Sequence, residues 1–340
     1  MLQSIWFFLW GLLWAIYFIT DGFDLGLGIM LPFIAKNEDE KRLIYASMGP
    51  LWDGNEVWLI TAGGVTFAAF PKVYSVMFSS LYSPLMLILF GLIIRGVSYE
   101  FREKAEDPFW KKIWDTCMFL GSLVAALIFG VAFANIFKGI PIDEKGYLQG
   151  TIFTLLNPYG LLGGVLFILM FMLHGSCWLM IKSEGELYKR AKRVSEKLWI
   201  ILLVAIVLFL IYSYTSTKLF RNYLNHPVLF LILLFAVVCF ILLRIFIAKE
   251  LAWKSWFFSA FTIIGIVFFG VVGIYPNLLP SSLDPRCSLN IYNASSTPLT
   301  LKIMLTVVII FVPIVLAYQI WTYSMFKGKI RKEELYEAYY

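Results

Sequence analysis

Nine apolar runs, each long enough to cross a lipid bilayer, divide this chain of 340 residues. A membrane-crossing helix needs about 20 predominantly apolar residues. Charged residues make up 15% of the chain, whereas soluble domains usually contain about 25%. The sequence therefore predicts an all-α polytopic membrane protein: one transmembrane domain over residues 1–340, with about nine helices in bundles. The runs cover residues 5–34, 51–70, 74–99, 114–136, 159–181, 198–217, 227–247, 256–276 and 303–325.

The basic residues between these runs fall mainly on one side. The loops after the odd-numbered runs, with the C-terminal end, hold 20 Lys and Arg, and the other loops hold 7; Arg95 in the third run completes the 28. Basic loops stay in the cytoplasm, which places the N-terminus outside and residues 326–340 in a short cytoplasmic tail. Because the basic charge is spread over many short loops, we expect no nucleic-acid partner. The first run lacks the flanks of a signal peptide and is predicted to be retained.

Carboxylates occur in the first run and at the start of the second. Asp21 and Asp24 lie three residues apart, and Asp53 and Glu56 have the same spacing. Residues three apart share one face of a helix. Carboxylates in membrane helices are costly, usually face protein or water, and often carry protons or ions. We therefore interpret these acids as functional, with an interfacial helix cap as the simpler alternative for Asp53.

The predicted topology brings further charged residues to the same cytoplasmic half. Arg95, at the end of the third run, is a candidate counter-ion for one of the acids, and a snorkelling interfacial arginine is the alternative. Asp115 begins the fourth run on the same side. Gly22 and Gly26 form a GxxxG pattern, which permits close helix packing. The sequence thus predicts an acidic cluster with one arginine in a single leaflet.

Few residues are suited to bind a cofactor. His174 lies in the fifth run, where hydrogen bonding to a neighbouring helix is more common than ligation of haem iron. His226 lies in an external loop and is expected at the surface. The four cysteines show no metal-ligand spacing, and the sequence contains neither a phosphate-binding glycine loop nor a C-x-x-C-H haem attachment site. We therefore expect no metal site and no cofactor ligand in this chain.

Several motifs resemble those of subunit II of the cytochrome bd quinol oxidases. The resemblance covers essentially the whole chain, and the motif at the start of the second run is the most specific. The motifs are TDGFDLG at 20–26, PLWDGNEVWLITAGG at 50–64, FAAFP at 67–71, FGVAFAN at 129–135, LNPYGLL at 156–162, and Tyr275-Pro276 with Pro280-Ser281-Ser282.

The resemblance implies a heterodimeric respiratory enzyme. In this family subunit I carries two haems b, one haem d and the quinol site, while subunit II has a related helical fold and usually lacks haem ligands. The enzyme oxidises quinol and reduces dioxygen to water with cytoplasmic protons, generating proton motive force without pumping. The implied surroundings are a bacterial or archaeal cell membrane and its lipid. Some members add a small accessory subunit or hold a structural quinone in subunit II.

The resemblance also implies roles for individual residues. The position of Asp53 belongs to a proton path at the interface with subunit I, and we extend this role to Asp24, Glu56 and Asp21. The position of Glu56 is glutamine in some members, which leaves an essential role for it open. Trp58 resembles a residue at the mouth of a dioxygen channel, with aromatic packing as the alternative.

Two other functions are compatible with the residues. Membrane carboxylates with glycines and an arginine also suit a proton-coupled secondary transporter. However, we find no inverted repeat, and acids in one leaflet suit a proton inlet better than a substrate site at the midplane. The third possibility is a purely structural subunit whose acids hold helices together.

Overall fold

The structure, a computed structural model, describes residues 1–331 and is mainly α-helical, as predicted. The predicted tail 326–340 lies outside the described residues from position 332 onward. Strands β1 (Asn277–Leu279) and β2 (Leu289–Asn290) pair antiparallel, and 3₁₀ turns cover Pro227–Leu229 and Pro285–Cys287. The helices are α1 Leu2–Thr20, α2 Gly22–Ile34, α3 Glu38–Met48, α4 Trp52–Ala69, α5 Pro71–Ser80, α6 Tyr82–Arg102, α7 Pro108–Lys138, α8 Ile152–Leu155, α9 Pro158–Lys182, α10 Gly185–Ser216, α11 Phe220–Asn225, α12 Phe230–Ala248, α13 Ala252–Ile274 and α14 Pro298–Met325.

Eight helical segments within residues 1–331 are long and apolar enough to cross a membrane. The first of them, Leu2–Ile34, combines α1 and α2, which are separated only at Asp21. All nine predicted runs are helical, but the second, α4, is not among the eight. Its 18 residues extend about 27 Å at about 1.5 Å per residue, slightly less than the hydrocarbon core of about 30 Å. Its first two turns also carry two carboxylates and an asparagine.

The structure corrects three predicted boundaries. The helix predicted from residue 74 begins at Tyr82, because residues 71–80 form the separate helix α5. The predicted basic loop 182–197 is largely the first part of α10. Residues 38–48, predicted as loop, form α3, which the Asn37 side chain caps at the Glu40 N–H at 3.0 Å. Helix α3 and the first part of α10 have polar sequences, so no apolar run predicts them.

Helix α2 lies inside the bundle, packed against α7 and α9. A Cβ at Gly26 would come within 1.9 Å of the Phe171 carbonyl oxygen of α9, and a Cβ at Gly22 would lie 2.7 Å from the Phe171 ring. The GxxxG pattern thus serves close packing, as predicted. Because backbone meets backbone here, α9 fixes the segment that carries Asp21 and Asp24.

The asparagines of two sequence motifs join α7 to α9. The Asn157 side chain caps α9 by accepting from the Gly160 N–H at 3.1 Å, and its amide donates to Asn135 Oδ1 at 2.7 Å. Asn135 in turn donates to the Leu155 carbonyl at 2.7 Å. These motif residues therefore have a structural role, in which they satisfy the polar groups of the loop between the two helices.

Helix α14 lies on the outside of the bundle. Leu301 is the buried residue of this helix, and its other apolar side chains point away from the protein or are partly covered. Polar contacts hold its two ends: Trp6 Nε1 donates to the Leu301 carbonyl at 3.0 Å, and the Lys182 ammonium contacts the Phe326 carbonyl. This helix is therefore attached by a few hydrogen bonds and has an uncovered apolar surface.

Candidate functional site

Acids from the first two predicted runs meet at Arg95 of α6. Arg95 Nη2 lies 2.6 Å from Asp21 Oδ1 and 2.5 Å from Glu56 Oε1. Arg95 and Asp21 are fully buried, while 23% of the Glu56 side chain is exposed. Asp21 is the one residue between α1 and α2, and the helical hydrogen bonds continue through this junction, from its N–H to the Tyr17 carbonyl and from the Leu25 N–H to its carbonyl. One guanidinium therefore joins the α1–α2 junction, α4 and α6.

Asp24, one turn further along α2, is held by an amide. Asn55 Nδ2 donates to Asp24 Oδ2 at 2.7 Å, and Tyr323 Oη donates to Asn55 Oδ1 at 2.8 Å. Gln319 Nε2 reaches the same Asn55 oxygen at 3.5 Å, and Trp58 Nε1 donates to Gln319 Oε1 at 2.8 Å. A continuous set of hydrogen bonds thus runs from α14 through α4 to the buried acid of α2.

The buried cluster keeps unused hydrogen-bonding capacity. Buried polar groups are rarely left unpaired, and polar sites with enough room usually hold water. Both donors and acceptors are among the unpaired atoms, so the cluster suits hydration and proton exchange. The buried atoms of this cluster that have no hydrogen-bond partner among residues 1–331 are Asp21 Oδ2, Asp24 Oδ1, Arg95 Nε, Arg95 Nη1 and Tyr17 Oη.

Carboxylates outnumber cations in this cluster. Asp21, Asp24 and Glu56 contribute three acids, and within the described part of the chain Arg95 is the basic residue paired with them. Burying an uncompensated carboxylate costs several kcal/mol, roughly. This excess of acids favours retention of at least one proton, which the cluster can exchange.

Asp53 lies at the surface next to this cluster. It is exposed in the first turn of α4, and no residue within 1–331 forms a hydrogen bond or ion pair with its side chain. The alternative of a helix cap is wrong, because Leu51 occupies the cap position and no side chain caps the helix. A cavity of about 380 Å³ extends from Asp53 to Asn55, Trp58 and Tyr323. It connects the exposed acid with the hydrogen bonds that lead to α2.

Asp115 does not join the other acids, contrary to the prediction of a single cluster. Its carboxylate lies 2.7 Å from Lys41 Nζ and 2.8 Å from Arg102 Nε. Arg102 also pairs with Glu38 at 2.9 Å and Glu103 at 2.5 Å. The difference arises because cations at the ends of α3 and α6 compensate Asp115 locally. This second network connects α3, α6 and α7.

Neither histidine offers a free nitrogen in the interior. His174 is fully buried, with Nδ1 at 2.6 Å from Ser259 Oγ and Nε2 at 2.9 Å from the Ile19 carbonyl oxygen. His226 is exposed. Within residues 1–331, no three or more potential metal ligands are grouped together, and the four cysteines are free. The residues gathered at the site are thus suited to bind and transfer protons.

Sequence reasoning missed four polar residues that complete the site: Tyr17, Asn55, Gln319 and Tyr323. Gln319 and Tyr323 lie four residues apart in an otherwise apolar run, a spacing that puts both on one helix face. This polar pair in the last apolar run was the sequence feature from which a buried contact of that helix could have been predicted. Asn55 lies inside the most specific motif, but nothing in its spacing indicated its partner on α2.

Comparison with known proteins gives matches over almost the full chain. The sequence profile of the family described as "Cytochrome bd terminal oxidase subunit II" matches residues 2–326. The "Probable cytochrome oxidase subunit 2" of Haemophilus influenzae is 38% identical, covering 97% of this chain and 95% of that protein. The "Cytochrome bd ubiquinol oxidase subunit 2" of Bacillus subtilis is 35% identical, covering 98% of each. The "Cytochrome bd-I ubiquinol oxidase subunit 2" of Escherichia coli K12 is 34% identical, covering 98% and 96%.

A solved structure shares the fold. "The structure of bd oxidase from Geobacillus thermodenitrificans" matches with a TM-score of 0.78 at 15% sequence identity, covering 95% of this chain and 98% of that chain. At this identity the match shows the fold alone.

Proposed function

This chain belongs to the cytochrome bd terminal oxidase subunit II family, and we propose that its task is to deliver protons to the oxygen-reducing haem of the partner, subunit I. The chain is a subunit of a haem-containing quinol oxidase in the membrane and pairs with subunit I. Reduction of dioxygen to water consumes protons in a buried site, so a polar path must supply them. Family membership sets aside the transporter alternative.

The connection from exposed Asp53 to buried Asp24 is the observation that carries the proposal. Asp53 takes a proton from water at the mouth of the 380 Å³ cavity. Asn55, held by Tyr323, bridges the cavity to Asp24. Unpaired polar atoms on Asp24 and Asp21 then allow water-mediated transfer along α2. We infer that protons move inward in this order.

The cluster around Arg95 would serve as a proton store. With one guanidinium for two carboxylates in contact with it, a proton can reside on Asp21 or Glu56 while the other acid keeps the ion pair. Glu56 is the partly exposed member and is therefore the natural point of exchange with the surface. Glutamine at this position would keep a hydrogen bond to Arg95, which explains how some members could function without this acid.

Subunit I would dock on the face formed by α4, α6 and α14. Large apolar side chains are exposed on each of these helices, for example Ile60 (74%), Ile93 (50%) and Ile320 (69%). The opening at Asp53 lies on the same face, between α4 and α14. Docking there would shield apolar surface and bring groups of the partner next to the acids.

The two haems b and haem d are proposed to belong to subunit I. Both nitrogens of His174 are already hydrogen-bonded, so this interior histidine does not fit axial ligation. Within residues 1–331, a cleft of about 460 Å³ between α10 and α12 would accommodate the hydrocarbon tail of a structural quinone. The polar side chains on its wall, Trp199 and Thr262, already donate to backbone carbonyls. The same cleft fits a lipid acyl chain.

The role of Trp58 at a dioxygen channel stays a prediction. The residue is buried at 3% exposure, and its indole donates to Gln319. In the proposed path it fixes the α14 wall of the cavity and thereby keeps Gln319 near Asn55.

Asp53→Asn in the assembled oxidase tests the proposal. Asparagine keeps the shape of the side chain but cannot release a proton at neutral pH. We expect quinol-driven oxygen uptake to fall about tenfold or more, since a positioned proton donor contributes a factor of about 100 or more. The visible difference spectrum should show unchanged haem content. The control is Glu144→Gln, which removes an exposed acid in the loop before α8.

Comparison of the Asp53→Asn and Asp24→Asn variants distinguishes the entry point for protons from the path inside the protein. Full activity of Asp53→Asn together with low activity of Asp24→Asn would place the inlet elsewhere while retaining Asp24. Full activity of both variants would show that this chain does not conduct the consumed protons, which would leave the structural-subunit alternative.

A further inference from the structure

A histidine on α9 is hydrogen-bonded to the backbone next to Asp21, the residue between α1 and α2. His174 Nε2 lies 2.9 Å from the carbonyl oxygen of Ile19, two residues before Asp21. A carbonyl oxygen can only accept, so Nε2 carries the hydrogen and donates it. We propose that His174 is a positioning residue for Asp21, setting the direction in which this carboxylate meets Arg95. The proposal rests on the proton path described above.

Two side chains donate to backbone carbonyls in the last turn of α1. Thr20 Oγ1 donates to the Ile16 carbonyl at 2.9 Å, and His174 donates to the carbonyl of Ile19. The backbone hydrogen bonds continue through Asp21, whose N–H donates to the Tyr17 carbonyl and whose carbonyl accepts from the Leu25 N–H, both at 2.9 Å. Of the two side-chain donors, His174 is the one that ties this turn to another helix.

The imidazole itself is held rigidly. It stacks on Trp256 with ring centroids 5.4 Å apart and an angle of 19° between the planes. Nδ1 lies 2.6 Å from Ser259 Oγ, whose single hydroxyl hydrogen is shared between Nδ1 and the Trp256 carbonyl at 2.7 Å. The ring is fully buried. It can therefore transmit the position of α9 and α13 to the α1 backbone.

Next to His174, Gly175 of α9 packs closely against the backbone of α2. A Cβ at Gly175 would lie 2.8 Å from the Phe23 carbonyl oxygen and 2.9 Å from the Leu27 nitrogen. This close approach fixes the position of α2, which follows Asp21, relative to α9. The His174 hydrogen bond fixes the position of α1, which precedes Asp21. Asp21 lies between these two points, so its carboxylate direction is determined from both sides.

Two amide substitutions separate the two hydrogen bonds of His174. Glutamine places its amide nitrogen near the position of Nε2 and can still donate to Ile19, whereas the shorter asparagine reaches only toward Ser259. Both lose the stacked ring equally. We expect His174→Asn to lower oxygen uptake about tenfold, the factor for one lost hydrogen bond of about 1.4 kcal/mol. His174→Gln should stay within about threefold of wild type, since the bond is retained.

The readouts must distinguish positioning from loss of structure. Haem content and the rate of haem reduction by quinol without oxygen should be unchanged in both variants. The solvent deuterium isotope effect on oxygen uptake should increase in His174→Asn, because proton delivery becomes more limiting. If His174→Asn fails to assemble, Ser259→Ala keeps the ring while removing its support, and a smaller loss with the same isotope signature is expected.

Asp21→Asn distinguishes failure of this inference from failure of the proton path. Equal turnover and isotope effects in His174→Asn and His174→Gln, with low turnover in Asp21→Asn, would overturn the positioning role alone. Full turnover in Asp21→Asn would instead count against the path on which the inference rests.

Discussion

Replacing Arg95 by methionine should strongly destabilise the protein, because Asp21 and Glu56 would lose their shared cation. At an effective dielectric constant of about 20, each contact of 2.5–2.6 Å corresponds to about 6 kcal/mol of attraction. Desolvation offsets much of this, and removing one partner of a buried ion pair typically costs about 3–5 kcal/mol. We therefore expect Arg95→Met to lower the free energy of unfolding by about 3–5 kcal/mol.

The assay is the thermal stability of the assembled oxidase, followed by size-exclusion chromatography with detection of haem absorbance. A triple variant, Arg95→Met with Asp21→Asn and Glu56→Gln, should recover most of the loss because no unpaired charge remains. Arg286→Met is the control: this side chain is 86% exposed and, within the described residues 1–331, pairs with neighbouring Asp284, so its effect should be within about 1 kcal/mol. A stability of Arg95→Met near wild type, or no recovery in the triple variant, would refute the charge-compensation argument.

Two further substitutions test the packing and the hydrogen bonds of the site. Gly26→Ala should reduce the yield of assembled oxidase severely, because its Cβ would lie 1.9 Å from a backbone oxygen of α9. Gly328→Ala, after the end of α14 and with nothing within 4 Å of its Cβ, should assemble normally, and equal yields would contradict the close approach. Tyr323→Phe should lower oxygen uptake about threefold to tenfold at unchanged haem content, since Asn55 loses a hydrogen bond worth about 1 kcal/mol. Tyr214→Phe, an exposed phenol on α10, is the control, and equal activity of the two variants would exclude a role for the Tyr323 hydroxyl.

The membrane class of the protein and the acids of its site could be predicted from local sequence. Long apolar runs predict helices irrespective of what surrounds them, because length and hydrophobicity decide whether a segment crosses a bilayer. Carboxylates within or beside such runs stand out against their neighbours, which is how Asp21, Asp24, Asp53 and Glu56 were selected. The family motifs located the same residues independently.

The polar helices outside the apolar runs were harder to predict. The α3 helix and the first part of α10 consist of charged and helix-forming residues, and their sequence resembles that of a solvated loop. The additional helix α5 separates from α6 at a single residue, Leu81. Apolar run lengths carry no information about such breaks.

The sequence by itself determined which residues could carry charge in the membrane, and only the tertiary structure decided which of them meet. Asp24 and Tyr323 lie almost 300 residues apart in the chain, yet both contact Asn55. Asp115, predicted on the same side as the other acids, pairs instead with Lys41 and Arg102. The physical reason is that helical periodicity fixes the face on which a side chain lies, whereas its partner depends on which helices pack together and at what height.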